Sequence, residues 1–181
     1  MEPLFAADLH FGQETVVKYR NHFKSSLEHD SIIYENISRQ LNKKTTLYLL
    51  GDLCFSKDSL KYLKGFKELC HSVVVIGGNH CTEKISVVDL YESVSQVHFY
   101  KNKYGFTLSH MPIHPEHLRG KLNVHGHLHT DLVKDPRYVC VSLEHTNYKA
   151  MSLTQIREVF RSRILDLNLS DEYLNVLKST G

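Results

Sequence analysis

Val73-Val74-Val75-Ile76-Gly77-Gly78-Asn79-His80 is an unbroken apolar run that stops on two glycines and then delivers an amide and an imidazole. A short apolar run bounded by turn residues reads as a buried strand. The same arrangement recurs along the chain. Residues 4–7 run into Asp8-Leu9-His10, residues 46–50 into Gly51-Asp52, residues 106–108 into Ser109-His110, and residues 122–124 into His125-Gly126-His127, closing on His129. Open α/β sheets bind ligands at the carboxyl ends of their strands, so five strand ends of this kind point to one shared site.

The segments between these runs have helical spacing. Residues 13–23, 30–41, 57–70 and 84–93 are expected to be helices; Ile33, Ile37 and Leu41 recur every four residues, and Leu60, Leu63, Phe66 and Leu69 every three. Each offers an apolar stripe to a sheet. Alternating strands and helices in the first half imply parallel pairing with right-handed crossovers. The second half, with runs at 100–108, 122–124 and 138–143, reads as a second sheet packed on the first. Ser152 and Gln155 form a capping-box pattern that opens a helix to about residue 164. Residues 170–178 are read as a further short helix.

A chain of 181 residues most simply makes one domain, spanning 1–181, with a helical tail from about residue 152. A net charge of +2, spread evenly, gives no concentrated basic face and no clear nucleic-acid surface. There is no signal-peptide pattern at the start and no apolar stretch long enough for a bilayer, so a cytoplasmic location is the expectation. Cys54, Cys70, Cys81 and Cys140 form no C-x-x-C pair, which argues against structural zinc and against a disulfide framework.

Asp, Asn and His together suit divalent metals that accept both nitrogen and oxygen donors. Asp8 and His10, like His127 and His129, are two residues apart, so on extended backbone each pair points to one side. Asp52 has two carboxylate oxygens, enough to bridge two cations. Asn79 adds a neutral oxygen that limits the negative charge facing an anion.

The ordered set D-x-H, G-D, G-N-H, lone H and G-H-x-H resembles the calcineurin-like metallophosphoesterase superfamily from about residue 4 to about residue 156. It looks closest to the small single-domain bacterial and phage members, a match supported by Asp8-Leu9-His10-Phe11-Gly12-Gln13, Val141-Ser142-Leu143 and Asn147-Tyr148-Lys149. The resemblance implies an α/β four-layer αββα sandwich of two mixed β-sheets flanked by helices. It implies one metal on Asp8, His10, Asp52 and His129, and a second on Asp52, Asn79, His110 and His127. A hydroxide bridging the two metals would attack phosphorus, with His80 stabilising the phosphoryl charge and protonating the leaving oxygen; imidazole exchanges protons near neutral pH.

Relatives commonly carry Asp or Glu after this His, whereas Cys81 stands here. Either another acid, Glu83 or Asp131, orients His80, or His80 is the weaker acid. Cys81 itself is a tolerated small residue or a redox-sensitive thiol. Arg20 and His114 are candidate substrate contacts, each with a structural alternative, and His125 is read as a supporting residue. His22, His29, His71, His98 and His145 are assigned no chemistry.

The expected function is metal-dependent hydrolysis of a small phosphoester, with phosphodiesters, cyclic nucleotides or other small nucleotide-like esters among them, favoured over monoesters on the resemblance alone. Manganese is the first choice of metal, with iron, zinc or nickel as alternatives. A non-catalytic scaffold on the same fold is the rival reading. The expected oligomeric state is monomer or homodimer.

Overall fold

Successive side chains of a strand go to opposite faces, and in β1 (Leu4–Ala6), β2 (Thr46–Leu50) and β3 (Ser72–Ile76) both faces are apolar. Leu4, Ala6, Leu47, Leu49, Val73 and Val75 turn one way. They form a core with Ile33 and Ile37 of α1 (Ser26–Ser38), Leu60, Leu63 and Phe66 of α2 (Leu60–Leu69) and Leu90 of α3 (Val87–Ser93). Phe5, Tyr48, Leu50, Val74 and Ile76 turn the other way. They meet Phe106 and Leu108 of β6 (Phe106–Leu108), Leu122 and Val124 of β7 (Leu122–His125) and Val139 of β8 (Tyr138–Cys140), so a second core lies between two sheets.

The computed structural model describes residues 2–166 and, beyond them, residues 175 and 177. The first sheet has the order β4-β3-β2-β1-β9, with β4 at Gln96–His98 and β9 at Met151–Ser152. β1 to β4 are parallel, and β9 runs antiparallel to β1. The second sheet has the order β5-β6-β7-β8; β5 (Lys101–Lys103) is antiparallel to β6 and the remaining pairs are parallel. α4 (Leu153–Asp166) contacts the edge strands β8 and β9 and sends Ile156, Phe160 and Ile164 into the inter-sheet core. The architecture is thus the two-sheet α/β sandwich that the motifs imply.

The ends of the helices depart from expectation for identifiable reasons. α1 begins at Ser26 because Ser25 caps it, accepting a hydrogen bond from Glu28 N at 3.1 Å. The stretch 13–23 contains only a 3-10 helix, Glu14–Lys18, with Val16 buried. Ser56 opens a 3-10 turn, Lys57–Ser59, before α2, and Ser86 caps α3 at Asp89 N, 3.0 Å away. The capping box before α4 forms as read: Gln155 N donates to Ser152 Oγ at 3.2 Å and Ser152 N donates to Gln155 Oε1 at 2.8 Å. β4 and β9 were not expected; strands of three and two residues, Gln96-Val97-His98 and Met151-Ser152, are too short to carry a periodic signal. Of the expected helix at 170–178, only residues 175 and 177 lie inside the described residues, and Leu177 is buried in the inter-sheet core.

All strands of the two parallel sets end on one side. There Ala7 bridges Ser142 in a parallel contact, with Ala7 N donating to Val141 O at 3.0 Å, so the sheets are tied together where their carboxyl ends meet. Phe66, fully buried in the core between the helices and the first sheet, packs against Tyr34 and Phe11. Phe66→Ala is expected to lower unfolding free energy by about 3–5 kcal/mol in chemical denaturation.

Candidate metal centre

Five of the seven residues singled out as ligands sit in the left-handed backbone region: Asp8 (φ 59°), His10 (φ 55°), Asp52 (φ 47°), His127 (φ 71°) and His129 (φ 51°). Such conformations cost about 1–2 kcal/mol per residue in ordinary L-residues and persist where surrounding structure over-determines them. The expectation that Asp8 with His10, and His127 with His129, converge on extended backbone is therefore corrected: each ligand is aimed by its own kink. The kinks are held by a ladder between two loops. Asp8 N donates to Gly51 O at 3.2 Å, His10 N to Asp52 O at 3.0 Å and Phe11 N to Leu53 O at 2.8 Å. Gly51 (φ 82°) permits this approach, since a Cβ there would collide with the His110 ring. Gly51→Ala is expected to displace His110 and lower metal affinity at least about tenfold, measured by calorimetric titration.

The ligand atoms gather in two groups. Donor atoms of Asp8, His10 and His129 lie within 4.8 Å of one another, as do those of Asp52, His110 and His127. In the second group His110 Nε2 is the focus, 2.9 Å from Asn79 Oδ1, 3.3 Å from Asp52 Oδ2 and 3.2 Å from His127 Nδ1. His110 Nδ1 faces Leu50 O at 2.9 Å, which fixes its proton there and leaves Nε2 a lone pair. Burial opposes charge on His110 and Asp52 alike, yet their contact outweighs it, raising the pKa of the imidazole and lowering that of the carboxyl.

The first group carries the clearest sign of a missing partner. Asp8 Oδ1 and His10 Nε2 are both buried and make no hydrogen bond. Such orphaned atoms are costly unless they serve an ion or water. The other carboxylate oxygen of Asp8 is fully engaged, accepting from Ser142 Oγ at 2.5 Å and from His127 N at 2.8 Å. His10 Nδ1 is held by Gln13 Oε1 at 2.8 Å. Burial, followed by the Arg20 charge, pushes the His10 pKa down to about 3, so its ring stays neutral. A buried carboxylate oxygen and a neutral imidazole lone pair, neither of them hydrogen-bonded, fit a divalent cation.

Behind this group lies a buried polar chain. His129 Nδ1 meets Glu144 Oε1 at 3.0 Å, and Arg20 donates to the same oxygen from Nε at 2.9 Å and Nη2 at 2.8 Å. Arg20 also donates to Asp8 O at 2.7 Å and Leu9 O at 3.4 Å, and reaches His29 Nε2 at 2.8 Å. His29 Nδ1 in turn faces Asp30 Oδ1 at 2.8 Å, and Asp30 Oδ2 accepts from Gly12 N at 2.8 Å. Burial opposes the charge on Glu144, but His129 and Arg20 hold its pKa down to about 2. The same hydrogen bond raises the pKa of His129.

Arg20 is only 3% exposed and its five N–H groups face Glu144, His29, Asp8 O and Leu9 O, so its place is structural and it has no donor free for substrate. His114 is exposed and, among the described residues, its contacts are Glu116 and His117. His80 N donates to Asp52 Oδ1 at 3.0 Å, and its ring, partly open to solvent, pairs through Nδ1 with Glu83 Oε1 at 2.7 Å. Glu83 therefore occupies the orienting position, while Asp131 lies elsewhere, in a turn against Leu128. Cys81 is buried, accepts from Gly78 N at 3.1 Å, and has its thiol pKa raised by burial. It behaves as a small core residue. His125 is fully buried, bonds Gly126 O at 2.8 Å and has its pKa pushed down to about 4 by burial.

Glu144, Ser142 and Gln13 were not singled out from sequence, and His29 was assigned no chemistry. The flanking segments Asp8 to Gln13 and Val141 to Leu143 were the available signal, since each contains or adjoins one of these residues.

A two-sheet sandwich with two Asp/His groups at its joined carboxyl ends offers two neighbouring candidate sites for divalent cations. The family model of calcineurin-like phosphoesterases matches residues 1–177, and the chain belongs to that family. It is 30% identical over 163 residues to an uncharacterised protein of Methanocaldococcus jannaschii, covering 83% of this chain and 86% of that one. It is also similar to the crystal structure of a protein of unknown function from Aquifex aeolicus, with a TM-score of 0.71, 27% identity, and coverage of 87% of this chain and 98% of the other. No described helix is long and apolar enough to cross a membrane.

Proposed function

We infer that the protein hydrolyses phosphodiesters in preference to phosphomonoesters. The observation that carries the metal-dependent reading is the pair of buried donors without a hydrogen bond, Asp8 Oδ1 and His10 Nε2. Asp8, His10, Asp52 and His129 would hold one cation, and Asp52, Asn79, His110 and His127 the other. Manganese is the metal of first choice, with iron, zinc or nickel compatible with the same donors. When bound, two such cations supply Lewis acidity toward phosphoryl oxygens and make water acidic enough to ionise near neutral pH.

The chain's own residues account for the rest. The preference for a diester is supported by the state of Arg20: its guanidinium is neutralised by Glu144 and its N–H groups are already engaged. A monoester dianion brings one more charge than a diester, and Arg20 has no free N–H group to meet it. His80 is set beside the site by its backbone contact with Asp52 and oriented by Glu83, where its ring can donate a proton to a departing alkoxide. His80→Asn is expected to slow a poor-leaving-group diester by about 10²-fold while slowing a p-nitrophenyl diester much less, as measured by parallel kcat determinations. Equal slowing of both would remove His80 from the acid role.

The test of substrate class is turnover of bis-p-nitrophenyl phosphate against p-nitrophenyl phosphate by chelator-stripped protein with manganese restored. A higher kcat/KM for the diester is expected; a higher value for the monoester would keep the site and overturn the diester assignment.

A further inference from the structure

Beside the first Asp/His group the surface opens into a cavity of about 810 Å³ whose floor includes His10 and His129 and whose walls include Val16, Tyr19, His22 and Tyr148. A cavity of this size accepts a nucleotide-sized ligand. It is much larger than a phosphate and two metal ions require, and it adjoins the ligands of only one of them.

The walls are aromatic in a particular way. Tyr19 is 83% exposed and, among the described residues, has no ring partner. Tyr148, half-buried, lines the same cavity. Its ring is braced by Phe23 (5.0 Å, edge-on), by His22 (5.0 Å) and by the Arg20 guanidinium 5.5 Å from its centroid. Both Asn147 (φ 51°) and Tyr148 (φ 56°) are left-handed, an uncommon conformation for an aromatic residue that marks a side chain placed at some cost. Two tyrosines, one braced and one open, thus line a space that includes the candidate ligands His10 and His129. Arg20 adds no net attraction for an anion, because Glu144 neutralises it. The remaining cation at the rim is the exposed Lys18.

We propose that this cavity is a nucleoside subsite: it takes the base and sugar of a nucleoside esterified to the scissile phosphate, with Tyr19 and Tyr148 against the base. Every base has a π-face that stacks on an aromatic side chain, so the subsite favours nucleosides as a class without reading which base is present. The inference rests on the phosphodiesterase reading and narrows its substrate to nucleotide-bearing diesters.

The test uses two diesters with the same leaving group, thymidine 5′-(p-nitrophenyl phosphate) and methyl p-nitrophenyl phosphate, on manganese-loaded protein. The thymidine ester is expected to show a kcat/KM at least about tenfold higher, the factor one stacked base supplies. Tyr19→Ala and Tyr148→Leu are expected to reduce that ratio, most of the change appearing in KM. Tyr19 is exposed, so its removal does not endanger folding. Equal kcat/KM values for the two diesters in the wild type would overturn the subsite and leave the phosphodiesterase reading intact. Turnover of neither diester, with p-nitrophenyl phosphate hydrolysed, would overturn the reading; the subsite is then decided by competition, where thymidine 5′-phosphate must inhibit at least about tenfold more tightly than inorganic phosphate. Equal inhibition would reject it.

Discussion

Asp8→Asn is expected to make the metal-free chain more stable and the loaded protein inactive. Asp8 is fully buried, and burial, opposed by its hydrogen bond from Ser142, raises its pKa. A carboxyl whose folded pKa exceeds its unfolded value binds its proton more tightly when folded. Its contribution therefore favours the folded state at acid pH and declines as pH rises through that range. An asparagine can keep its carbonyl oxygen on Ser142 Oγ and His127 N while removing the buried negative charge, whose non-hydrogen-bonded oxygen lies 3.8 Å from His110 Nδ1. At neutral pH the metal-free variant should gain about 1 kcal/mol over wild type in denaturant titrations, and the difference should shrink on acidification. With metal the order reverses. Wild type gains about 2.7 kcal/mol at a cation concentration 100 times its Kd, a gain the variant largely loses. Turnover should fall by about 10³-fold or more, because an amide neither neutralises nor holds the first cation as a carboxylate does. A variant less stable than wild type without metal would mean that the buried Asp8 charge costs the folded state nothing.

The second large effect is at Glu144. Glu144→Gln removes the charge that faces Arg20 and His129 together, leaving a buried guanidinium without its counter-charge. The Glu144 pKa of about 2 against an ordinary value of 4.5 corresponds to about 3 kcal/mol of stability. This is the depressed case: the contribution is complete above pH 4.5 and is lost as pH falls toward 2. Wild type and variant should therefore differ by about 3 kcal/mol at pH 7 and converge in acid. Because Glu144 also fixes His129 through Nδ1, leaving Nε2 for a cation, metal affinity should fall by about 10–100-fold. Unchanged affinity in calorimetric titration would confine Glu144 to a folding role.

These two residues mark the boundary of what local sequence patterns reveal. Asp8, Asp52, Asn79, His110 and His127 stand out because metal chemistry demands few residue types, and parallel strands deliver them just past apolar runs. Glu144 and Arg20 are 124 positions apart, and nothing near either one signals the other. His29 looked idle because its partners, Arg20 and Asp30, become meaningful only when α1 docks under the site. The left-handed kinks at Asp8, His10 and His129 were equally hidden, since only glycine advertises that conformation in a sequence. The sheets followed from the buried runs, whereas β4 and β9 are set by neighbouring strands rather than by their own residues.

The central claim is that the chain holds two catalytic cations, and it is tested most directly by titrating chelator-stripped protein with manganese while metal content and diester turnover are read on the same samples. The predicted result is turnover that stays low at one equivalent and reaches its plateau at two bound per chain, with Asp8→Asn retaining fewer than two. Full turnover at one bound equivalent, or two bound without turnover of any phosphoester, would rule out catalysis by a pair of cations.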